Sequence, residues 1–395
     1  MLPEKCLNWG RSKSCIRELA AYGAKRKAEI GADRVFDFSI GNPSVPAPEC
    51  VDEALREVLQ MDSVEVHGYT AAVGLMSLRQ AIAGDLSRRC SATVTADMVY
   101  VTCGAAAGLA ACMHGLLLPG EEVIAFAPFF PEYRVFAEGA GGVLVTAPPT
   151  ETLQPDFDAF EKLLSEKTKA VIVNTPNNPS GVVLSAQSLA ELGRRLRAAE
   201  ARFGHTIYLI SDEPYRELVY DGEPVPSVLD YYDDTIVGYS FSKSLSLPGE
   251  RIGYLAVGPA MADKQDVFDA LAGAARSCGY VNAPSLMQRV AEKCIGQTAD
   301  ITVYKGNRDK LYNGLKERGF TCVYPDGAFY LFVKSPEADA KAFSERAKKY
   351  ELLLVPSDDF GLTGYVRVAY CVSADMIERS MPAFTELAKE YGILP

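Results

Sequence analysis

The sequence has little of what most metal and nucleic-acid sites require. It contains three histidines and one tryptophan in 395 residues. Its ten cysteines are scattered, with no Cys-x-x-Cys pair and no histidine at a metal-ligand spacing, which excludes zinc and dithiol redox motifs. Forty basic residues stand against 51 acidic ones, a net charge of −11, without a basic cluster that would neutralise consecutive phosphates. We therefore expect no metal and no nucleic-acid partner.

Long hydrophobic runs are also missing. The longest apolar stretch, Gly104 to Leu118, contains His114 and is shorter than the ~20 residues that a membrane-spanning helix needs. The N-terminal residues lack the apolar segment of a signal peptide. Scattered thiols in a chain of this size are typical of a reducing compartment. The sequence thus predicts a cytoplasmic protein that does not associate with membranes.

What the sequence does contain is a regular alternation of short strands and longer helices. Seven runs are apolar, and several are continuous rather than alternating, which is typical of strands buried on both faces of a sheet. Helix-compatible segments such as Ser185 to Arg202 separate them. The pattern predicts an α/β fold with a mainly parallel seven-stranded sheet covered by helices. The runs are Met98 to Thr102, Glu122 to Phe126, Val143 to Thr146, Ala170 to Val173, Ile207 to Ile210, Ile236 to Tyr239 and Tyr254 to Val257.

The segments on either side of this region predict a second, smaller unit. We expect a long helical stretch from Ser285 to Arg318, followed by three strands. The N-terminal segment holds one amphipathic helix, Ile16 to Ile30, and one strand, too little chain for a core of its own. A large domain is therefore expected over residues 46–284, and a smaller α+β domain over residues 1–45 and 285–395. The three strands are Ala328 to Val333, Leu352 to Val355 and Tyr365 to Tyr370.

Chemically versatile residues follow several of the predicted strands. Ligands of an open α/β sheet bind beyond the carboxyl ends of its strands. Here, Asn174-Thr-Pro-Asn-Asn-Pro-Ser-Gly181 follows one strand and Ser211-Asp-Glu-Pro-Tyr215 follows the next. A third strand leads into Ser240-Phe-Ser-Lys243 and then Arg251-Ile-Gly-Tyr254, and Gly104-Ala-Ala-Ala-Gly108 opens a helix. The order of these motifs at successive strand ends predicts a ligand site at one edge of the sheet.

Each motif taken singly also has an ordinary structural interpretation. A Gly- and Ala-rich helix start permits close packing on a sheet, and Asn-Asn-Pro-Ser-Gly is a plausible turn. Asp212 could be a helix N-cap, and a lysine in a serine-rich loop is usually solvated. Phe130 could equally well be a core residue. The functional interpretation rests on the joint occurrence of the motifs.

Together the motifs resemble those of the fold type I, class I/II aminotransferases, which depend on pyridoxal 5′-phosphate. The resemblance covers nearly the whole chain. Its most specific part is Ser240-x-Ser-Lys243 with Arg251 eight residues later. Further support comes from Asn178-Pro-Ser-Gly181, Asp212-x-x-Tyr215, Gly68-Tyr-Thr-Ala-Ala-Val-Gly74 and Arg367.

The resemblance implies roles for the residues that would carry the chemistry. Lys243 would form a Schiff base with the cofactor aldehyde and then move a proton, because an amine can serve both as nucleophile and as base. Asp212, rather than Glu213, would keep the pyridine nitrogen protonated. Tyr215 and Asn178, rather than Asn177, would hydrogen-bond the phenolate oxygen of the cofactor.

The resemblance also implies how the rest of the cofactor is held. Backbone N–H groups of a helix N-terminus bind phosphate, a role expected here for Gly104, Ala105 and Ala106. These alanines offer no hydroxyl or amine, so further phosphate contacts are expected from side chains outside this segment. The side-chain candidates are Arg251, Ser240, Ser242 and, reaching across from the other subunit of a homodimer with shared active sites, Tyr69. Phe130 stands where relatives stack an aromatic ring on the cofactor.

The substrate contacts implied by the resemblance are less uniform. Arg367 would bind the α-carboxylate, because a guanidinium matches a carboxylate in a bidentate manner, and the Gly41 backbone would assist. Arg17 resembles a position that alanine-type relatives use, and Arg276 is another candidate, although either can be a simple exposed helix arginine. Aspartate-specific relatives carry a partner-subunit arginine where this chain has Met287 or Gln288, so the donor stays open.

The expected function is transamination of an amino acid with a 2-oxo acid, 2-oxoglutarate being the expected acceptor, in ping-pong half-reactions. A β-eliminating carbon–sulfur lyase uses the same lysine and is the alternative. A non-enzymatic cofactor-binding regulator is a third possibility. Such a regulator would carry a DNA-binding module ahead of the aminotransferase-like region, and only about 40 residues precede that region here, which makes this interpretation the least favoured.

Overall fold

The computed structural model describes residues 2–11, 14–222 and 224–394. Strands and helices alternate through the central part of the chain, as the apolar runs predict. Seven strands form one sheet: β2 (Val99–Thr102), β3 (Glu122–Phe126), β4 (Val143–Ala147), β5 (Thr168–Asn174), β6 (Tyr208–Asp212), β7 (Thr235–Ser240) and β8 (Gly253–Val257). Each contains most of a predicted run, which confirms the α/β prediction.

The order of strands in this sheet is β2-β8-β7-β6-β5-β3-β4. All neighbours are parallel except β8, which runs antiparallel to both β2 and β7. The chain leaves β5, β6 and β7 at the same edge, and these strands are neighbours in the middle of the sheet. Their following loops therefore meet, as expected for ligand sites of open α/β sheets.

Helices cover both faces of the sheet and bury the continuous apolar strands. Separate apolar clusters form on the two faces, one containing Ile124, Val171 and Leu209 and another containing Val123, Ile172 and Ile210. The helices of this region are α3 (Glu49–Val58), α4 (Ser63–His67), α5 (Met76–Arg89), α6 (Ala105–Leu116), α7 (Glu132–Gly139), α8 (Phe157–Leu163), α9 (Ala186–Phe203), α10 (Phe241–Ser244) and α11 (Lys264–Ser277).

The N- and C-terminal segments share a second set of strands and helices. In it β1 (Phe36–Asp37) pairs in parallel with β11 (Leu352–Leu353), which joins the two ends of the chain. A four-stranded sheet has the order β12-β13-β10-β9. Its strands are β9 (Cys322–Val323), β10 (Tyr330–Lys334), β12 (Val355–Pro356) and β13 (Tyr365–Ala369); the helices are α1 (Glu4–Arg11), α2 (Cys15–Ile30), α13 (Ile301–Lys316), α14 (Ala340–Ala347) and α15 (Ala374–Glu390). Helix α12 (Ser285–Lys293) follows α11 in the chain and packs with α3 on the large sheet.

The long helical stretch expected from Ser285 to Arg318 is wrong in one respect, because the structure divides it into α12 and α13. Gly296 has φ +80°, outside the helical region, and Asp300 caps α13 by accepting a hydrogen bond from the Thr302 N–H at 3.0 Å. The residues of α12 contribute to the same apolar cluster as Val99 and Val101 of the large sheet. The expected boundary at residue 284 stays a prediction.

Within the described ranges, no helix combines the length and the apolar character needed to cross a bilayer.

Candidate active site

A cavity of about 290 Å³ lies beyond the carboxyl ends of β5, β6 and β7. Twelve of the fifteen site residues expected from the sequence line it; Gly104, Tyr69 and Arg17 do not. Six further residues complete the lining. The residues lining the cavity are Ile16, Gly41, Ala105, Ala106, Leu109, Phe130, Asn174, Asn178, Asp212, Pro214, Tyr215, Ser240, Ser242, Lys243, Pro248, Arg251, Tyr330 and Arg367.

Asp212, the last residue of β6, provides a buried carboxyl group at one end of the cavity. The Tyr133 hydroxyl donates to its Oδ2 at 2.5 Å, and the Asn174 side-chain amide lies 3.4 Å from the same oxygen. Its Oδ1 is buried and has no hydrogen-bond partner among the described residues. Burial raises the pKa of Asp212 to about 7, and Glu213 adds to the rise, although the Tyr133 hydrogen bond opposes it.

Lys243 lies on the short helix α10, directly after β7. Ser240 caps this helix by accepting a hydrogen bond from the Ser242 N–H at 3.1 Å. The Lys243 Nζ donates to the Gly41 carbonyl oxygen at 2.7 Å. The pKa of Lys243 is lowered to about 8, mainly by burial and also by the nearby guanidinium groups of Arg367 and Arg251, whereas Cys371 opposes the change. The amine is therefore much easier to deprotonate than an ordinary lysine.

Arg367 places a buried guanidinium group at the opposite end of the cavity. It is 2% exposed on β13. Its Nη2 donates to the Ser39 carbonyl oxygen at 2.7 Å and its Nη1 to Asn178 Oδ1 at 3.1 Å. Its Nε is buried and has no partner within the described part of the chain. An anionic group of a ligand would therefore be stabilised here.

Tyr215 and Asn178 lie between these two charged ends. The Tyr215 hydroxyl is 3.0 Å from the Tyr330 hydroxyl, and burial raises the pKa of Tyr215 well above its usual value. The backbone N–H of Asn178 donates to Asn174 Oδ1 at 2.7 Å, which fixes the loop after β5. Both side chains face the cavity, as the sequence predicts.

The other expected cofactor contacts gather around the N-terminus of α6. Gly104, with φ +80°, precedes this helix. As at any helix N-terminus, the first N–H groups of α6 lack intrahelical partners. The guanidinium of Arg251 packs against Gly104, since a Cβ added there would lie 2.8 Å from Arg251 Nη2. The Ser240 and Ser242 hydroxyl oxygens are 2.6 Å apart. Helix N–H groups and an arginine together suit a phosphate.

Phe130 also lines the cavity, close to the carboxyl group of Asp212. Its ring lies edge-to-face on Tyr133, with the centroids 5.7 Å apart and the planes at 85°. Ala105 and Ala106 line the same cavity with small side chains, which leaves room for a flat ring. Phe130 therefore lies beside the ligand cavity, where the sequence predicts an aromatic side chain.

Two expected residues lie away from the cavity. Tyr69 is 99% exposed and contributes nothing to the lining of its own chain's cavity. Arg17 is also exposed and lies 3.8 Å from Glu132 in an ion pair, whereas its neighbour Ile16 lines the cavity. In this structure the first turn of α2 directs Ile16, and not Arg17, toward the cavity, so a contact between Arg17 and substrate stays a prediction.

Arg276, the other candidate, and the two residues that stand in place of the partner-subunit arginine of aspartate-specific relatives are also outside the cavity lining. Arg276 is exposed on α11. Met287 is a core residue, and Gln288 is fully buried, accepting a hydrogen bond from the Leu75 N–H at 2.8 Å. The side chain of Gln288 also donates to the Thr70 hydroxyl at 3.1 Å. Gln288 therefore supports the loop that carries Tyr69.

Three functional positions are not identifiable from the sequence. Tyr133 and Asn174 both contact Asp212, and Tyr330 contacts Tyr215. Asn174 opens the motif that ends at Gly181, and Tyr133 follows Phe130 by three residues, but nothing in the local pattern distinguishes them from turn or packing residues. Tyr330 stands in a run that predicts a strand, and its role depends on the pairing of that strand with β13.

Comparisons with known proteins bear on this site. The family described as "Aminotransferase class I and II" matches residues 33–384. The chain belongs to this family. An aspartate aminotransferase from Thermotoga maritima is 33% identical over 91% of this chain and 93% of its own length. An aspartate/prephenate aminotransferase from Thermus thermophilus is 31% identical over 90% and 91%, respectively.

Solved structures agree with this assignment. An amino transferase from Eubacterium rectale superimposes with a TM-score of 0.97 at 49% identity, covering 99% of both chains. The Thermotoga maritima aspartate aminotransferase superimposes with a TM-score of 0.84 at 32% identity, covering 95% of this chain and 97% of that one. The resemblance drawn from the sequence is confirmed: the protein is a pyridoxal-phosphate-dependent aminotransferase.

The residues present fit this cofactor. The buried Asp212 Oδ1 lacks a partner, as expected of an atom that receives a hydrogen bond from a ligand. The N-terminus of α6 and the Arg251 guanidinium supply donors for a phosphate at another side of the same cavity. Asp212 and the α6 N-terminus therefore offer contacts of the type that the pyridine nitrogen and the phosphate require.

Proposed function

We propose that this aminotransferase moves the amino group of an amino acid to a 2-oxo acid, with 2-oxoglutarate as acceptor, in two ping-pong half-reactions through Lys243. One observation carries the proposal: the Lys243 amine, with its pKa lowered to about 8, faces the same cavity as a buried carboxyl group and a buried guanidinium group. An amino acid held by its carboxylate at Arg367 then has Lys243 within the same cavity.

Pyridoxal phosphate supplies an aldehyde that joins an amine as a Schiff base, and a protonated ring that accepts an electron pair. In our proposal Asp212 would accept a hydrogen bond from the protonated pyridine nitrogen, while Tyr215 and Asn178 would bind the phenolate oxygen. Phe130 would pack on the ring. The phosphate would be bound by Gly104, Ala105, Ala106, Ser240, Ser242 and Arg251.

Lys243 has two tasks in this proposal. Its Nζ would hold the cofactor through the aldehyde, and once an amino acid had taken its place there, the same Nζ would be the base that takes the proton from the substrate Cα. The lowered pKa supports both tasks, since roughly a tenth of amines with a pKa near 8 are uncharged at pH 7. The Gly41 carbonyl oxygen accepts from Nζ and orients it toward the cavity.

Arg367 binds the substrate α-carboxylate in this proposal, and two hydrogen bonds hold its guanidinium. The Ser39 carbonyl oxygen and Asn178 Oδ1 each accept a hydrogen bond from it, and its Nε has no partner in the described residues. A carboxylate that replaces or joins these contacts gains charge-assisted hydrogen bonds. The contact would be common to every amino acid and every 2-oxo acid.

We also propose that the enzyme is a homodimer in which Tyr69 of the partner subunit completes the phosphate site. The Tyr69 side chain is 99% exposed and does not line its own chain's cavity, so it is accessible to a second subunit, as the family resemblance implies. The Thr70 hydroxyl and carbonyl bind Gln288 and Asn282, so the loop is held in a defined shape. Analytical ultracentrifugation of the wild-type protein and of Tyr69→Phe tests the dimer. Titration of both apoproteins with the cofactor tests the phosphate contact, which should weaken in the variant while assembly is kept.

The reaction type can be tested by product stoichiometry. The holoenzyme is mixed with one donor at a time and no oxo acid. The panel includes aspartate, glutamate, alanine and aromatic amino acids, because relatives of this chain are aspartate and aromatic-amino-acid aminotransferases. We expect about one equivalent of 2-oxo acid per subunit, and continuous turnover once 2-oxoglutarate is added. Rapid release of pyruvate and ammonia from cysteine or cystathionine, with no reaction of the other donors, would support the lyase alternative instead.

A further inference from the structure

Tyr330 lies between the two charged ends of the cavity and has no role in the account above. It is the first residue of β10, is 3% exposed and lines the cavity. Its hydroxyl oxygen is 3.0 Å from that of Tyr215. Its ring faces the guanidinium of Arg367, with 4.6 Å from the ring centroid to Cζ. One side chain thus contacts both a cofactor residue and the substrate-carboxylate residue.

The pairing of the strands determines this position. Tyr330 pairs with Ala369, and Phe332 pairs with Arg367, in the antiparallel ladder of β10 and β13. Because residues two apart on a strand point to the same face, Tyr330 and Arg367 are diagonal neighbours on one face of the sheet. The ring of Tyr330 therefore stays beside Arg367 for as long as the two strands remain paired.

Gly41 fixes the hydroxyl end of Tyr330. A Cβ added at Gly41 would lie only 2.0 Å from the Tyr330 hydroxyl oxygen, so the close approach requires glycine. The carbonyl oxygen of the same glycine accepts the Lys243 Nζ hydrogen bond. The Tyr330 hydroxyl is therefore confined between Gly41 and Tyr215, and only one proton can lie between the two phenol oxygens.

We propose that Tyr330 is a positioning residue for the transamination proposed above, on which this inference rests. Its hydroxyl donates to the Tyr215 oxygen, so that the Tyr215 proton is directed toward the phenolate oxygen of the cofactor. Its ring holds the Arg367 guanidinium in the orientation that receives the α-carboxylate. The titratable and charged groups that face the two phenols are Asp212, Tyr133, Lys243, Arg367 and Cys371.

The hydroxyl is tested by Tyr330→Phe in the holoenzyme. We expect the pKa of the visible cofactor absorption band to rise by about 0.5 to 1, the shift that one neutral hydrogen bond of ordinary strength produces, since Tyr215 loses its fixed orientation. KM should change less than about twofold, because the ring remains next to Arg367. In a Tyr215→Phe background the same substitution should leave the band unmoved.

The ring is tested by Tyr330→Leu. Loss of the cation–π contact should raise KM for amino acids and 2-oxo acids alike, by about 3- to 30-fold, with a much smaller change in kcat. The matched control is Tyr232→Phe, which removes a buried hydroxyl that donates to the Ile207 carbonyl oxygen at 2.8 Å outside the cavity. The control should lower the unfolding temperature without moving either the band or KM.

Several results would contradict this inference. An unmoved band in Tyr330→Phe, or an equal shift with and without Tyr215, removes the role of the hydroxyl, as does a Tyr330→Phe variant that cannot retain the cofactor at all. An unchanged KM in Tyr330→Leu removes the role of the ring. If Lys243→Ala leaves the visible cofactor band unchanged, the proposed function itself is contradicted. This result is distinguishable because it requires no Tyr330 variant.

Discussion

At one end of the cavity the buried charged group is the carboxyl of Asp212, and at the other it is the guanidinium of Arg367. Both residues are almost fully buried, and each keeps one polar atom without a partner in the described structure, Oδ1 and Nε respectively. The carboxyl end is built from neighbouring strands of one sheet. The guanidinium end is assembled from β13, from Ser39 and from the loop after β5. A ligand that is cationic at one end and anionic at the other satisfies both.

The two ends also differ in what they cost the protein before a ligand binds. Burial raises the pKa of Asp212 from an ordinary value near 4 to about 7, so its ionisation in the apoprotein costs on the order of 4 kcal/mol. The guanidinium of Arg367 is compensated by two hydrogen bonds and two aromatic faces. A bound cation therefore relieves a burial cost at the carboxyl end, whereas the guanidinium end already has partners for two of its N–H groups.

The largest effect should come from the residue that connects the two ends. Lys243→Ala should lower turnover by at least about 10² to 10⁴, the usual contribution of a positioned proton-transfer group, and loss of the covalent link adds to it. Steady-state transamination with several donors measures the loss. Lys264→Ala, outside the cavity, is the control and should keep full activity. A Lys243→Ala enzyme within tenfold of wild type would mean that another group moves the proton.

The carboxyl end is tested next. Asp212→Asn should keep the cofactor bound but slow the single-turnover release of 2-oxo acid by about 10²- to 10³-fold, because a preorganised charge is lost from a buried site. Asp212→Glu should be milder. Asp234→Asn is a matched control, since burial raises the pKa of Asp234 to about 6 at a position outside the cavity. Near-normal rates in Asp212→Asn would show that the ring nitrogen is controlled elsewhere.

The guanidinium end should be more tolerant. Arg367→Lys keeps the charge but loses the planar fork, so apparent affinity should fall about 10- to 150-fold for every amino acid and 2-oxo acid. Arg194→Lys, whose guanidinium pairs with Glu191 on α9 outside the cavity, should leave KM unchanged. If Arg367→Lys weakens only one class of substrate, this residue binds a side chain and not the common α-carboxylate.

How much of this could be foreseen from the sequence depends on how local each signal is. Asp212, Lys243 and Asn178 stand directly after apolar runs, so one argument about strand ends places them together. Arg367, by contrast, was assigned through resemblance, because its contacts with Ser39 and Asn178 join residues far apart in the chain. The position of Arg17 beside Glu132 depends on how α2 packs, which no local motif specifies. Tyr330 was missed because only strand pairing brings it to Tyr215.

A smaller effect concerns pH and the apoprotein. The folded pKa of Lys243 is lowered to about 8 from an ordinary 10.5, so the unfolded chain binds more protons between these values, and stability rises with pH there. Below pH 8 the buried amine lowers the free energy of unfolding by the full amount that corresponds to this pKa difference. Lys243→Met should therefore stabilise the apoprotein at pH 7, and the gain in unfolding temperature should shrink between pH 8 and 10.5. A gain that does not vary with pH would contradict this origin.

The central claim is that Lys243 is the residue that joins the cofactor in a cavity with a carboxyl group at one end and a guanidinium at the other. Borohydride reduction of the holoenzyme, followed by proteolysis and mass spectrometry of the labelled peptide, tests it most directly. The account predicts a stable cofactor adduct on Lys243, in the peptide containing Ser240-Phe-Ser-Lys243, and its absence when an amino acid is present in excess during reduction. An adduct on any other lysine, or none in a coloured holoenzyme, would contradict it.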